Sequence, residues 1–301
     1  MNRPDYIVWL ETILKARGIS QTDLAQELGV THAALNRWLH EKAKPHTRTL
    51  TKIREFYQKY AFYSDLEKTF AITEWQKKFS SLKRKGSLGL LLHQKDFYED
   101  SLLKLTYHSN KIEGSTLSLH ETQSILFDNL VVPRHSLVEH LEVSNHRLAF
   151  QKMLESVQNN APMTPDFILD LHRILMNGIL TEAGQFRSHP VRIVGARVVP
   201  PNALKVPEKM TALCEQMQAT QDPVGIIIQH ALFETIHPFA DGNGRIGRLL
   251  FNYQLLRADF PLIVIHAEKK RMYYEALEQA QVHQKFELLI KFIFEEMESD
   301  T

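Results

Sequence analysis

The chain has 301 residues, 44% of them hydrophobic and 24% charged, with a single cysteine. That length allows one large or two ordinary domains, and one cysteine, Cys214, excludes an intrachain disulfide and a cysteine-built metal site. Net charge is only +1, but residues 1–85 hold 16 Lys and Arg against 9 Asp and Glu, while the remainder holds 20 against 26. A basic head on an acidic body points to two domains with different partners. The longest apolar runs, 88–92 and 260–265, are too short to span a bilayer, and residues 1–6 lack a signal-peptide pattern. The expected location is cytosolic, with no membrane partner.

Residues 1–60 form the first expected domain. Ser20 with Asp23 three residues on reads as a helix start, and Leu24, Ala25 and Leu28 share one face before Gly29. Thr31 caps a second helix whose apolar face is Leu35, Trp38 and Leu39. Two short helices around a glycine turn make a helix-turn-helix. The run from Gln21 to Val30 resembles the phage-repressor-like (XRE) family, which implies DNA binding, usually as a dimer. Residues 31–40 would then be the recognition helix. Gln21 belongs to the matching signature, His32, Ala33 and Asn36 would face bases, and Arg37, Lys42 and Lys44 would serve phosphates.

Residues 61–90 read as a helical connector. Leu66, Phe70, Trp75 and Phe79 have helical spacing, and the basic, glycine- and serine-containing stretch 83–89 reads as a hinge or exposed loop. From residue 91 onward a second domain is expected, running to 301. Tyr98, Leu102, Leu105 and Ile112 share a helical face over 94–114, which Gly114 ends. Further helices are expected over 118–126, 137–153 and 164–178, with Pro165 in the first turn of the last. The histidines of this middle part, His172 among them, receive no role. Residues 184–201 place Val191, Ile193, Val194, Val198 and Val199 around Gly195, with Pro200 and Pro201 beyond, the pattern of a short β-hairpin.

Residues 237–248 read His-Pro-Phe-Ala-Asp-Gly-Asn-Gly-Arg-Ile-Gly-Arg between two apolar, helix-compatible segments. Pro238 and the Gly-Asn-Gly triplet forbid one unbroken helix, so a tight loop joins two helices and Gly242, Asn243 and Gly244 open the second. A helix start offers unpaired N–H groups, and glycine lets a phosphate approach them. Arg245 and Arg248 can address further phosphate oxygens. Asp241 would repel a bare phosphate, and fits if it holds Mg²⁺. His237 is then a general base.

The twelve residues also resemble the Fic signature, with every specified position filled. The resemblance covers roughly residues 88–290. It implies a mostly helical enzyme that transfers AMP from ATP to a Ser, Thr or Tyr hydroxyl of a target protein. Three further expectations come with it. The tail Ser109-Asn-Lys-Ile-Glu113-Gly matches the family's inhibitory motif, so Glu113 would pair with Arg248 and exclude the γ-phosphate. The 184–201 hairpin, with its Gly-x-Phe-Arg lead-in, would be the flap that holds the target by strand pairing through Val191, Ile193 and Val194. On the expected helix at 269–281, Tyr274 would pack on the adenine and Gln281 would bond its edge. A final amphipathic helix is expected over 286–297.

The fold expectation is all-α: a Fic helical bundle with a small hairpin flap, behind a helix-turn-helix domain. Two other functions remain open at this point. One is a transcriptional regulator that only senses nucleotide. The other is a transferase using UTP or GTP, or an enzyme that removes AMP with Glu113 as base. A homodimer is compatible with both family resemblances.

Overall fold

The computed structural model describes residues 4–60, 72–83, 87–193 and 195–299. The chain divides into two compact units, Met1–Glu74 and Trp75–Thr301. Among the described residues every regular element is helical and no strand forms. No helix of the described residues is long and apolar enough to cross a membrane.

In the first unit, α1 (Asp5–Arg17) packs on α4 (Thr47–Tyr60), and α2 (Gln21–Leu28) on α3 (His32–Leu39). The caps read from sequence are present. Ser20 Oγ accepts from the Asp23 N–H at 3.2 Å, while Asp23 Oδ2 accepts from the Ser20 N–H at 3.1 Å. Thr31 Oγ1 accepts from the Ala34 N–H at 3.2 Å. Gly29 takes φ +71°, the left-handed conformation that a sharp turn after α2 needs. Leu24, Leu28, Leu35, Trp38 and Leu39 are buried together with Ile7, Leu10 and Ile53.

The second unit begins within α5 (Ile72–Leu82) and continues with α6 (Ser87–His93), α7 (Lys95–Glu113), α8 (Leu119–Phe127), α9 (Leu137–Gln158), α10 (Pro165–Leu175), α11 (Val206–Ala219), α12 (Pro223–Ile236), α13 (Asn243–Arg257), α14 (Lys270–His283) and α15 (Glu287–Ser299). A helix that is apolar or buried all round must lie inside its domain. α12 and α13 are such helices: nearly every residue of each is buried. They pack on one another, and α13 also meets α7, α9 and α10, so the loop joining α12 to α13 lies in the middle of the unit.

Two expectations are corrected. The stretch 83–89 is not an open loop throughout: residues 84–86 lie outside the described residues, but Ser87 to His93 are helical, with Ser87 and Leu91 buried. Burial of Leu91 overrides the local glycine and serine signals. The hairpin flap is not formed either. Val194 lies outside the described residues, but the described residues of 184–201 contain no strand. A turn bond from the Ala196 N–H to the Ile193 carbonyl, at 3.2 Å, joins the two sides. A lone two-stranded hairpin is marginal without a third strand or a packed face, and Val199, 85% exposed, has no such cover. Of the helical connector, Trp75 and Phe79 lie on the helix described from Ile72, while Leu66 and Phe70 lie outside the described residues.

Candidate active site

α12 ends because His237 adopts a left-handed conformation, φ +50° and ψ +62°, with its N–H still bonded to the Phe233 carbonyl at 3.0 Å. Pro238 then prevents continuation. The loop closes on itself through Asn243, whose Oδ1 accepts from the Phe239 N–H and whose Nδ2 donates to the Phe239 carbonyl, both at 2.9 Å. The Asn243 side chain is therefore spent on shape, and its main chain is what faces the helix start. Gly242, at φ +80°, is the N-cap residue of α13 and has no side chain to cap it. A Cβ there would lie 2.8 Å from Met176 Sδ, so both conformation and space demand glycine. The α13 N-terminus thus presents uncapped N–H groups inside the domain, an arrangement suited to an anion.

Two guanidiniums flank it. Arg248 is 5% exposed; its Nε donates to Ser109 Oγ at 2.9 Å, and its Nη2 donates to the Ser109 carbonyl at 3.0 Å and to Glu113 Oε1 at 2.7 Å. Glu113, the last residue of α7, also reaches the helix start: a Cβ on Gly244 would lie 2.5 Å from its Oε1. Burial alone would raise the Glu113 carboxyl, but the charge and hydrogen bond of Arg248 outweigh it and hold the pKa below the usual value. Burial likewise would lower Arg248, and Glu113 reverses the direction. Arg245 is 2% exposed; its Nη1 donates to Glu142 Oε1 of α9 at 2.7 Å, and its Nη2 lies 3.7 Å from Asp241 Oδ2. Asp241 keeps 63% of its side-chain surface open and accepts the Gly242 N–H at 2.6 Å.

The His237 ring is partly buried, and desolvation lowers its pKa. The nearby Glu234 carbonyl opposes the shift and the Arg187 charge adds to it, although the buried Nδ1 makes no hydrogen bond among the described residues. The imidazole is thus neutral near pH 7 and able to accept a proton. Tyr274 on α14 is 41% exposed, with Lys270 Nζ 5.6 Å from its ring centroid, and Glu113 and Arg248 are among the charges that act on it. Gln281 is half-buried two turns further along the same helix. Val191 and Ile193 are half-buried in the loop, away from any regular element. In the first unit, His32, Ala33 and Arg37 are exposed, and half-buried Asn36 lies with its Nδ2 3.5 Å from Gln21 Oε1.

Three residues given no role in the sequence reading join this site. Glu142 anchors Arg245. His172 stacks on Phe239, centroids 3.7 Å apart and planes 3° from parallel. Its Nδ1 accepts the Gly184 N–H at 2.9 Å, so the proton sits on Nε2, which donates to the Asp241 carbonyl at 3.0 Å. Burial pushes His172 down to about pKa 4, consistent with a neutral ring. Arg187, 2% exposed, donates to the carbonyls that end α12. Isolated His, Glu and Arg residues carry no local signal; only the Gly-x-Phe-Arg lead-in marked Arg187.

Comparison with known proteins agrees with both halves of this description. Residues 162–255 match the Fic/DOC family, and residues 10–63 match a helix-turn-helix family. The chain is 32% identical over 254 residues to the protein adenylyltransferase Fic of Nematostella vectensis, an alignment covering 82% of this chain and 56% of that protein. It is 36% identical over 180 residues to the protein adenylyltransferase Fic of Drosophila yakuba, covering 58% and 36%. The chain therefore spans only about a third to a half of the length of these relatives. A Fic-domain-containing signalling protein from Bacteroides thetaiotaomicron superposes with a TM-score of 0.63 at 26% identity, over 75% of this chain and 93% of that one. Caenorhabditis elegans Fic-1 shares the fold, with a TM-score of 0.63 at 23% identity over 93% of this chain and 82% of that one. The α12–loop–α13 centre thus lies within the stretch that matches the Fic/DOC family, and the residues ahead of the second unit match a helix-turn-helix family.

Proposed function

We propose that the chain is a protein adenylyltransferase held in check by Glu113, with a DNA-binding domain at residues 1–60, a connector at 61–90 and the catalytic domain at 91–301. The observation that carries the catalytic part is the uncapped α13 N-terminus, beside which Arg248 is occupied by Glu113. ATP would seat its phosphates on the main chain of Gly242, Asn243 and Gly244, with Arg248 on the terminal phosphate once Glu113 withdraws. Arg245, anchored on Glu142, adds positive charge beside Asp241. His237 takes the proton of the target hydroxyl. The oxygen attacks the α-phosphorus, and pyrophosphate leaves with the electrons of the broken bond. Tyr274 and Gln281 would border the base, and the 184–201 loop, through Val191, Ile193 and Val194, would dock the target.

No cluster of three or more His, Cys, Asp or Glu side chains suited to a metal occurs among the described residues. One open carboxylate beside an anion seat suits Mg²⁺, which is commonly held by one or two carboxylates plus substrate phosphates. Asp241 would hold it, and when bound it supplies charge neutralisation on the phosphates.

Incubation with ATP labelled on the α-phosphate and Mg²⁺ tests this reading. Label should appear on the Glu113→Gly protein and not on Glu113→Gly/His237→Ala; equal labelling of the two would reject His237 as base. The helix-turn-helix match favours a second role, DNA binding through Gln21, His32, Ala33, Asn36 and Arg37. A mobility shift on DNA from the protein's own promoter, with and without ATP, tests that role, and sedimentation of the complex reports whether a dimer binds. A shift that responds to ATP without label transfer would favour the nucleotide-sensing regulator.

A further inference from the structure

Arg187 is a buried cation, and among the described residues no carboxylate pairs with it. Such a charge is costly to bury unless its donors are satisfied. Here every polar contact is with main-chain oxygen. Nε donates to the His237 carbonyl at 2.7 Å, Nη2 to the carbonyls of Pro201 at 2.7 Å and Ile236 at 3.3 Å, and Nη1 to the His189 carbonyl at 3.1 Å. Its own N–H donates to the Pro238 carbonyl at 2.9 Å.

These acceptors fall into two groups. Ile236, His237 and Pro238 are the end of α12 and the turn that aims the imidazole. The Ile236 and His237 carbonyls lie at the negative end of the helix, where a cation is favoured. His237 is also strained, since a left-handed conformation disfavours any residue with a Cβ, and such strain persists only where surrounding contacts impose it. The other group, His189 and Pro201, marks the two ends of the loop that carries Val191, Ile193 and Val199. One planar guanidinium therefore joins the mouth of that loop to the carbonyl of His237. A lysine, with a single point charge, cannot span the same four oxygens.

We propose that Arg187 is a positioning residue that makes the 189–201 loop and the His237 turn one mechanical unit, so that a peptide segment seated on the loop is delivered in register with the imidazole. This rests on the reading of His237 as the base and of the loop as the docking segment. It gives the unformed flap a physical role. The loop's ends are held while its described residues form no strand, which leaves it able to pair with an incoming one. Arg187 itself touches neither the α13 N-terminus nor Arg248, so nucleotide binding should not depend on it.

The test compares Arg187→Gln and Arg187→Lys, each in the Glu113→Gly background. Three quantities are read: the affinity for a fluorescent ATP analogue, the initial rate of self-modification with labelled ATP, and the rate of tryptic cleavage after Arg192 and Arg197. Arg187→Gln should bind the analogue within about twofold of its parent, lose about 100-fold in maximal transfer rate and be cut about tenfold faster or more in the loop. Arg187→Lys should fall between, and it supplies the same readouts if the glutamine variant does not fold. Unchanged loop cleavage overturns the proposal. So does a loss of ATP affinity that matches the loss of transfer, which would mark a general collapse of the site. If the Glu113→Gly parent transfers no label, the transferase reading fails, while loop cleavage still decides whether Arg187 holds the loop.

Discussion

Replacing Glu113 by glycine should convert a blocked site into an open one. In the structure Arg248 makes three bonds, and only the 2.7 Å bond to Glu113 Oε1 is lost in the variant; the two to Ser109, at 2.9 and 3.0 Å, remain. The guanidinium should therefore stay in place with one face freed. Glu113 also presses on Gly244, so its removal clears the space a terminal phosphate needs. A preorganised donor facing developing charge contributes about 3 kcal/mol, and each 1.36 kcal/mol is tenfold in rate, so the variant should transfer AMP about 100-fold faster than wild type. Glu113→Gln, which keeps the volume and loses the charge, should fall between. Stability should move the opposite way. An unpaired buried guanidinium is penalised, but with 30% of the Glu113 side-chain surface open to water the cost should not exceed about 2 kcal/mol. Tm should then fall by several degrees and recover on adding ATP. The assay is self-labelling with α-phosphate-labelled ATP and Mg²⁺, alongside thermal melts. A variant no faster than wild type, with unchanged ATP affinity, would refute the idea that Glu113 closes this site.

Acid should destabilise the protein over a definite window. Burial pushes His146 to about pKa 3, His172 to about 4 and His230 to about 3. The unfolded chain binds protons below about pH 6.5 that the folded chain refuses, so stability should fall as pH drops from there towards 4, by roughly 1.4 kcal/mol per pH unit for each histidine. Urea midpoints that match at pH 7.5 and 5 would contradict this. Asn243→Ala removes both bonds to Phe239, about 2 kcal/mol in all, and should loosen the loop enough to weaken ATP binding. An unchanged affinity for a fluorescent ATP analogue would count against the loop's dependence on that side chain. Gly247→Ala places a Cβ against Glu234 Oε1 and Phe233, so it should cost about 1–3 kcal/mol by overpacking, measurable by denaturation. If α3 reads bases, Asn36→Ala should lose about tenfold or more in specific DNA affinity while its salt dependence stays the same.

What could be read directly was what is local. The Ser20 and Thr31 caps, the glycine turn between α2 and α3, and the break between α12 and α13 all follow from side chains acting within a few residues of themselves. Pro238 cannot continue a helix, and Gly242 suits a left-handed start that a side chain would block. The pairing of Glu113 with Arg248, 135 residues apart, came only through family resemblance, because nothing near Glu113 differs from an ordinary helix end. Glu142 and His172 were mute in the sequence for the same reason, and Arg187 was marked only as part of a family lead-in.

The two failed expectations show the limit from the other side. Glycine and serine at 86–89 signalled a loop, yet Ser87 to His93 form a helix because Leu91 has a core to enter. β-Branched residues around Gly195 signalled a hairpin, but strands need partners to take up their N–H and C=O groups, and among the described residues none is supplied. Sequence alone determined where the backbone must turn, cap or stop, since those choices are decided by sterics and hydrogen bonds between near neighbours. Only the tertiary structure decided which charges meet across helices and which apolar runs find cover. Those outcomes depend on distant surfaces being brought together, and no short window of residues encodes them.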